Sequence, residues 1–123
     1  MNDKKFSIKD RVKSFGYAFN GLALFFAKEN NARIHAIGAI FAILLSVWLK
    51  ISAIEWIAVL IVIALVFVAE IINTAIEKLA DVVSTEINPK IKVVKDLAAG
   101  AVLVAAIVAI IIGAIIFLPK LFS

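Results

Sequence analysis

The stretch from Val66 to Val83 reads VFVAEIINTAIEKLADVV. It prolongs an apolar run and then admits Glu70, Asn73, Glu77 and Asp81. On a helix turning about 100° per residue, with Glu70 at zero, Asn73 falls at about −60°, Thr74 at about +40°, Glu77 at about −20° and Asp81 at about +20°. All five share an arc of about 100°, with Ile71, Ile72, Ile76 and Leu79 outside it. Ionisable groups at the edge of an apolar span are costly in lipid, so such a stripe points to a protein interior or a water-filled site. The plainer alternative is an amphipathic helix end with its polar face in water, a reading that suits Asp81 better than Glu70.

The composition around this stretch is that of a membrane protein. Of the 123 residues, 64% are hydrophobic, against roughly 45–50% in soluble domains. A soluble core in so short a chain cannot hide that much apolar side chain, so much of it faces lipid. No Cys is present, which excludes a disulfide framework or a thiolate metal site. The single His cannot build a His-rich zinc site. The net charge of +4 raises the possibility of nucleic acid, but the basic residues flank apolar spans, and attraction to a membrane surface explains them better. The first 30 residues lack the pattern of a cleavable signal peptide.

Outward from the quoted stretch, four segments make one domain over 1–123. Residues 7–28 carry Ile8, Val12, Phe15, Phe19, Leu22 and Phe26 at spacings of three or four between polar positions, the pattern of an amphipathic helix on a membrane surface. Residues 34–50 form a first, short span, with Arg33 and Lys50 as snorkelling ends. Residues 51–69 form a second span, whose helix continues to about 83. Residues 97–118 form a third, without a charge. About 20 apolar residues cross a bilayer core. The segment STEINPKIKVVK is expected to be a loop broken by Pro89. Gly38, Gly100 and Gly113, with the Ala-rich third span, would allow close helix approach.

Lys4, Lys5, Lys9, Arg11, Lys13, Lys28 and Arg33 precede the first span, and Lys78, Lys90, Lys92 and Lys95 lie between the second and third. Only Lys50 and Lys120 lie on the other side. The positive-inside rule therefore puts the N-terminus and the 78–96 connection in the cytoplasm and the C-terminus outside.

On that cytoplasmic side, Glu29 ends the surface helix, and Lys95 and Asp96 open the third span. Carboxylates converging at a water–lipid boundary suit Mg²⁺, which takes oxygen ligands and bridges phosphates. A nearby Lys can neutralise phosphate, and a carboxylate at the lipid edge suits a general base. Neither a P-loop nor a GxGxxG motif is present. The residues thus point to chemistry on a lipid head group with a soluble phosphate compound.

EIINTAIEKLAD resembles the signature of the prokaryotic diacylglycerol kinase family, Glu-x-x-Asn-[Ser/Thr]-Ala-x-Glu-x-x-x-Asp. KDLAAGAVLVA from Lys95 matches the family's second block, and GYAFNGL at Gly16 and the Glu29–Arg33 segment extend the resemblance over nearly the whole chain. The resemblance implies an all-α integral-membrane homotrimer in the bacterial cytoplasmic membrane, each chain with a surface helix and three transmembrane helices. It implies transfer of the γ-phosphate of MgATP to a lipid alcohol. Carried over, Glu70 is the general base and Asn73 helps position it and the reacting groups. Glu29 and Glu77 bind Mg²⁺ and nucleotide. Tyr17, Glu86, Lys95 and Asp96 match nucleotide contacts. Ala99 matches a lipid-facing wall, and Asn31 lies where substrate contacts are expected.

Three positions depart from the best-known members. Asp10 stands where they have a nucleotide-contacting Arg, with Arg11 adjacent; Asn88 stands where His is common; His35 stands where an acidic residue is found. ENNARIHA, SAIEW and IIFLPKL look like the Gram-positive subgroup, whose members often prefer undecaprenol. Diacylglycerol and undecaprenol both stay open, with a slight lean to the second. Two readings from other classes compete. A small proton-coupled transporter calls for a fourth span and a Glu deep in a helix. A non-catalytic assembly protein would use the acidic face to bind a basic partner.

Overall fold

Four helices follow one another: α1 (Ile8–Lys28), α2 (Asn30–Leu49), α3 (Ala53–Val83) and α4 (Pro89–Leu121). They are seen in a computed structural model that describes residues 7–123; Lys4 and Lys5, counted above among the cytoplasmic charges, lie outside the described residues. Helices α2, α3 and α4 are each long and apolar enough to cross a membrane.

Local chemistry sets each boundary. The Ser7 side chain accepts a hydrogen bond from the Asp10 N–H and starts α1, a usual N-cap role for Ser. Glu29 adopts an extended backbone, φ −103° and ψ 120°, and ends α1 and starts α2 at once. Arg33, one turn into α2, donates to the carbonyls of Phe26 and Ala27. It thereby satisfies C-terminal carbonyls of α1 that the helix itself leaves without partners. Lys50 closes α2 in the left-handed region, φ 52°. Ser52 and Glu55 form a reciprocal capping box at the start of α3.

The connection before α4 corrects the sequence expectation. Pro89 does not break a helix there; it begins one, with Asn88 as N-cap and its side chain accepting from the Lys90 N–H. Pro lacks an N–H and has a helix-compatible φ, so the first helical position is where it fits best. Pro89 to Lys95, expected in a loop, are helical. A second Pro, Pro119, lies within the last turns of α4.

Helices α3 and α4 pack along each other, with α2 beside α3. The pair is antiparallel and tied near both ends, by Lys95–Asp81 at 2.7 Å and by Lys120–Glu55 at 3.2 Å. Ile51, Val59 and Ile116 form a small core at the Glu55 end. Most other Ile, Leu and Val side chains remain exposed on the chain, as expected where lipid or a neighbouring chain is the solvent. The apolar face of α1 behaves the same way: Ile8, Val12, Phe15 and Phe19 are exposed. Its buried residue is Phe25, not one of the six positions that the periodicity picked out. The glycines do not bring helices together within the chain. A Cβ added at Gly38 or Gly100 would meet nothing within 4 Å, and at Gly113 only the Phe117 side chain at 3.9 Å.

Candidate active site

The buried face of α3 runs through Val59, Val62, Val66 and Glu70. Steps of three and four keep these on one side of the helix. Glu70 therefore continues an apolar stripe in which another Val would follow the pattern. It is 4% exposed, and a buried polar group needs a partner. That partner is His35 on α2, whose Nε2 lies 2.9 Å from Glu70 Oε1. The imidazole meets the Phe67 ring edge-on at 6.5 Å between centroids. His35 also lines an apolar cavity of about 320 Å³ between α2, α3 and α4, among Ala42, Val62, Val66, Ala109 and Ile112.

Glu29 projects from the α1–α2 break. Its Oε1 lies 3.2 Å from Lys78 Nζ on α3. Both residues line a cavity of about 670 Å³ between α1 and α3, along with Leu22, Phe25, Lys28 and Thr74. This cavity is apolar along α1 as far as Phe25 and charged where Lys28, Glu29 and Lys78 line it.

A third grouping surrounds the α3–α4 connection. Asp81, Glu86, Asn88, Lys92 and Lys95 line a cavity of about 480 Å³. Lys95 Nζ donates to Asp81 Oδ1 at 2.7 Å. Lys95 precedes the uncharged run of α4. The Asp81 hydrogen bond, with smaller help from the charges of Asp81 and Glu77, holds its ammonium above the ordinary value of 10.5. Asp96 pairs with Lys92 at 2.6 Å, one helical turn back.

The single stripe seen on the helical wheel is thus divided among neighbours. Glu70 faces α2; Thr74 lines the α1 cavity. Asp81 meets α4, and Asn73 lines a groove between α3 and α4 with Ala98 and Ala101. Asn73 Oδ1 is buried there without a hydrogen-bond partner. Glu77 is exposed, as are Tyr17 on α1, Asn31 on α2 and Ala99 on α4. Of the expected nucleotide contacts, Glu86 and Lys95 share one cavity and Glu29 lines another. Among the described residues, no three Asp, Glu, His or Cys side chains gather into a metal-holding cluster. Among the described residues no contact joins Glu29 to Glu77: Glu29 pairs with Lys78 and lines the α1 cavity, while Glu77 is exposed and outside that lining.

Two participants escaped the sequence reading. His35 was noted only as a departure, although it opens the first span on the side where Glu70 closes the second. Lys78 was counted only as a positive charge; it lies just outside the acidic arc on the wheel, which is why it can face α1.

The prokaryotic diacylglycerol kinase family matches residues 16–117. An undecaprenol kinase of Bacillus subtilis is 39% identical over 109 residues, which cover 89% of each chain. A diacylglycerol kinase of Synechocystis is 39% identical over 111 residues, covering 89% of this chain and 63% of the cyanobacterial protein. The chain therefore spans less than two thirds of that second relative.

Proposed function

Because this chain belongs to the prokaryotic diacylglycerol kinase family and is a lipid kinase, we propose that it transfers the γ-phosphate of MgATP to the hydroxyl of undecaprenol, ahead of diacylglycerol. The observation that carries this reading is Glu70, a carboxylate buried at the end of an apolar stripe and reached only through one His contact. A structural residue at that position would be apolar. A carboxylate there serves a proton that must be taken up at the depth of a lipid hydroxyl.

In this mechanism Glu70 accepts the hydroxyl proton as the lipid oxygen forms a bond to the γ-phosphorus and the bond to the β-phosphate oxygen breaks. Asn73 lies about one turn along α3 from the base, its Oδ1 in the groove against α4. Glu29 and Glu77 would hold Mg²⁺, which when bound neutralises charge on the β- and γ-phosphates. For that, Glu29 must exchange Lys78 for the ion. Lys95, paired with Asp81, supplies a second cation near Glu86. Tyr17 and Asp96 complete the nucleotide contacts, and Ala99 and Asn31 border the lipid. The apolar cavity behind His35 has the lining for the first isoprene units of a tail.

The protein works in the inner membrane, with its N-terminus and site cytoplasmic and its C-terminus outside. It assembles as a homotrimer, which would cover apolar faces of α2 to α4 that the single chain leaves open. The three separate cavities of one chain favour a site finished by a neighbour. The test is ATP consumption by the purified protein with and without added lipid alcohol. Consumption that requires the alcohol supports a kinase. Alcohol-independent consumption, or none, contradicts it. Proton-driven transport and passive assembly predict no such dependence.

A further inference from the structure

We propose that His35 is the positioning residue of the base: it holds one oxygen of Glu70 so that the other faces the substrate hydroxyl. The proposal rests on the reading of Glu70 as base and concerns how that base is aimed.

An ionised carboxylate only accepts hydrogen bonds, and a neutral imidazole has one N–H. With Nε2 at 2.9 Å from Oε1, the tautomer that makes this contact carries its hydrogen on Nε2. The bond takes up one lone pair of Oε1 and leaves Oε2 as the oxygen without a side-chain partner, the better placed of the two to take a proton. Glu70 has three side-chain torsions and, being 4% exposed, little water to orient it. The imidazole is therefore what selects its orientation. The ring is itself restrained. Arg33, two residues earlier, ties the start of α2 to the carbonyls of Phe26 and Ala27. Phe67, three residues before Glu70, stands edge-on to the imidazole. His35 also borders the apolar cavity, together with Val66 and Phe67 of the helix that carries Glu70. Misplacing a reacting group by about 1 Å costs on the order of a hundredfold in rate.

The test compares His35→Gln with His35→Asn in the full-length membrane protein, with wild type and Glu70→Gln in the same detergent–lipid preparation. Gln can bring an N–H close to where Nε2 lies; Asn is too short. The expected result is that Gln keeps at least a third of wild-type kcat. Asn falls at least tenfold, with KM for ATP and for the lipid alcohol within about twofold of wild type. In the Glu70→Gln background, the Asn substitution should add no further loss in turnover, because the carboxylate it aims is gone. Equal kcat for Gln and Asn, or a loss in Asn matched by a parallel drop in thermal midpoint and restored by no donor, would overturn the positioning role. Inactive wild type would instead refute the kinase reading, and an active Glu70→Gln would refute the base.

Discussion

Lys78 Nζ stands 3.2 Å from Glu29 Oε1, joining α3 to the break between α1 and α2. The lysine thus occupies the carboxylate proposed for Mg²⁺, and the two cations compete for it. The pair is partly exposed, and such pairs are worth about 0–1 kcal/mol. Lys78→Met should therefore lower the free Mg²⁺ needed for half-maximal activity, by no more than about fivefold. An Mg²⁺ titration at constant ATP checks this. A higher requirement would mean that Lys78 acts on phosphate more than on Glu29.

Glu29→Gln and Glu77→Gln should each weaken Mg²⁺-dependent nucleotide binding, since each removes one of two carboxylates available to the ion. Titrating MgATP against each purified variant measures it. Unchanged affinity and unchanged Mg²⁺ dependence would argue against a metal site at these residues.

Glu70→Gln should lose about 10²–10⁴-fold in turnover while still binding MgATP. A variant that keeps more than a tenth of the wild-type rate on a lipid alcohol removes the base assignment.

Ser52→Ala should affect stability and spare activity. It deletes the side chain that caps α3, at the end of the helix opposite Glu70 and Glu77. Losing such a cap lowers the thermal midpoint by a few degrees. Thermal unfolding alongside a kinase assay separates the two readouts; an equal loss of activity would show that the far end of α3 is coupled to the site.

On the proposed reading, lipid choice depends on contacts near Phe19, Ala23 and Asn31. A glycerol backbone with two ester carbonyls needs hydrogen-bond donors there, and a linear polyprenol needs an apolar slot. The ratio of kcat/KM for undecaprenol and diacylglycerol reports the outcome, because a site built to make a hydrogen bond discriminates more sharply than apolar fit. Undecaprenol should be preferred. A tenfold preference for diacylglycerol would reverse the lipid assignment and leave the kinase in place.

Parts of this architecture are visible in the chain itself, and the reasons differ by residue. The uncharged run from Leu97 to Leu118 is legible because a bilayer demands length and apolarity alone. The stripe from Glu70 to Asp81 is legible because helical spacing is local. What each member faces is not local: Glu70 and His35 are 35 residues apart in sequence, and only the packing of α2 on α3 joins them. Pro89 was misread because the same residue ends one helix and begins another; Asn88, a good N-cap just before it, was the overlooked signal. For the burial of Phe25 in place of its neighbours, the pattern of α1 holds no signal, since burial there depends on how other helices pack against α1, which is not local.

The most direct measurement is transfer of label from γ-³²P-ATP to lipid, with undecaprenol and diacylglycerol competing in one preparation of the purified protein. The account predicts Mg²⁺-dependent label in the lipid phase, more of it as undecaprenyl phosphate than as phosphatidic acid, and about a hundredfold less or lower still with Glu70→Gln. Folded wild-type protein that labels neither lipid would contradict it.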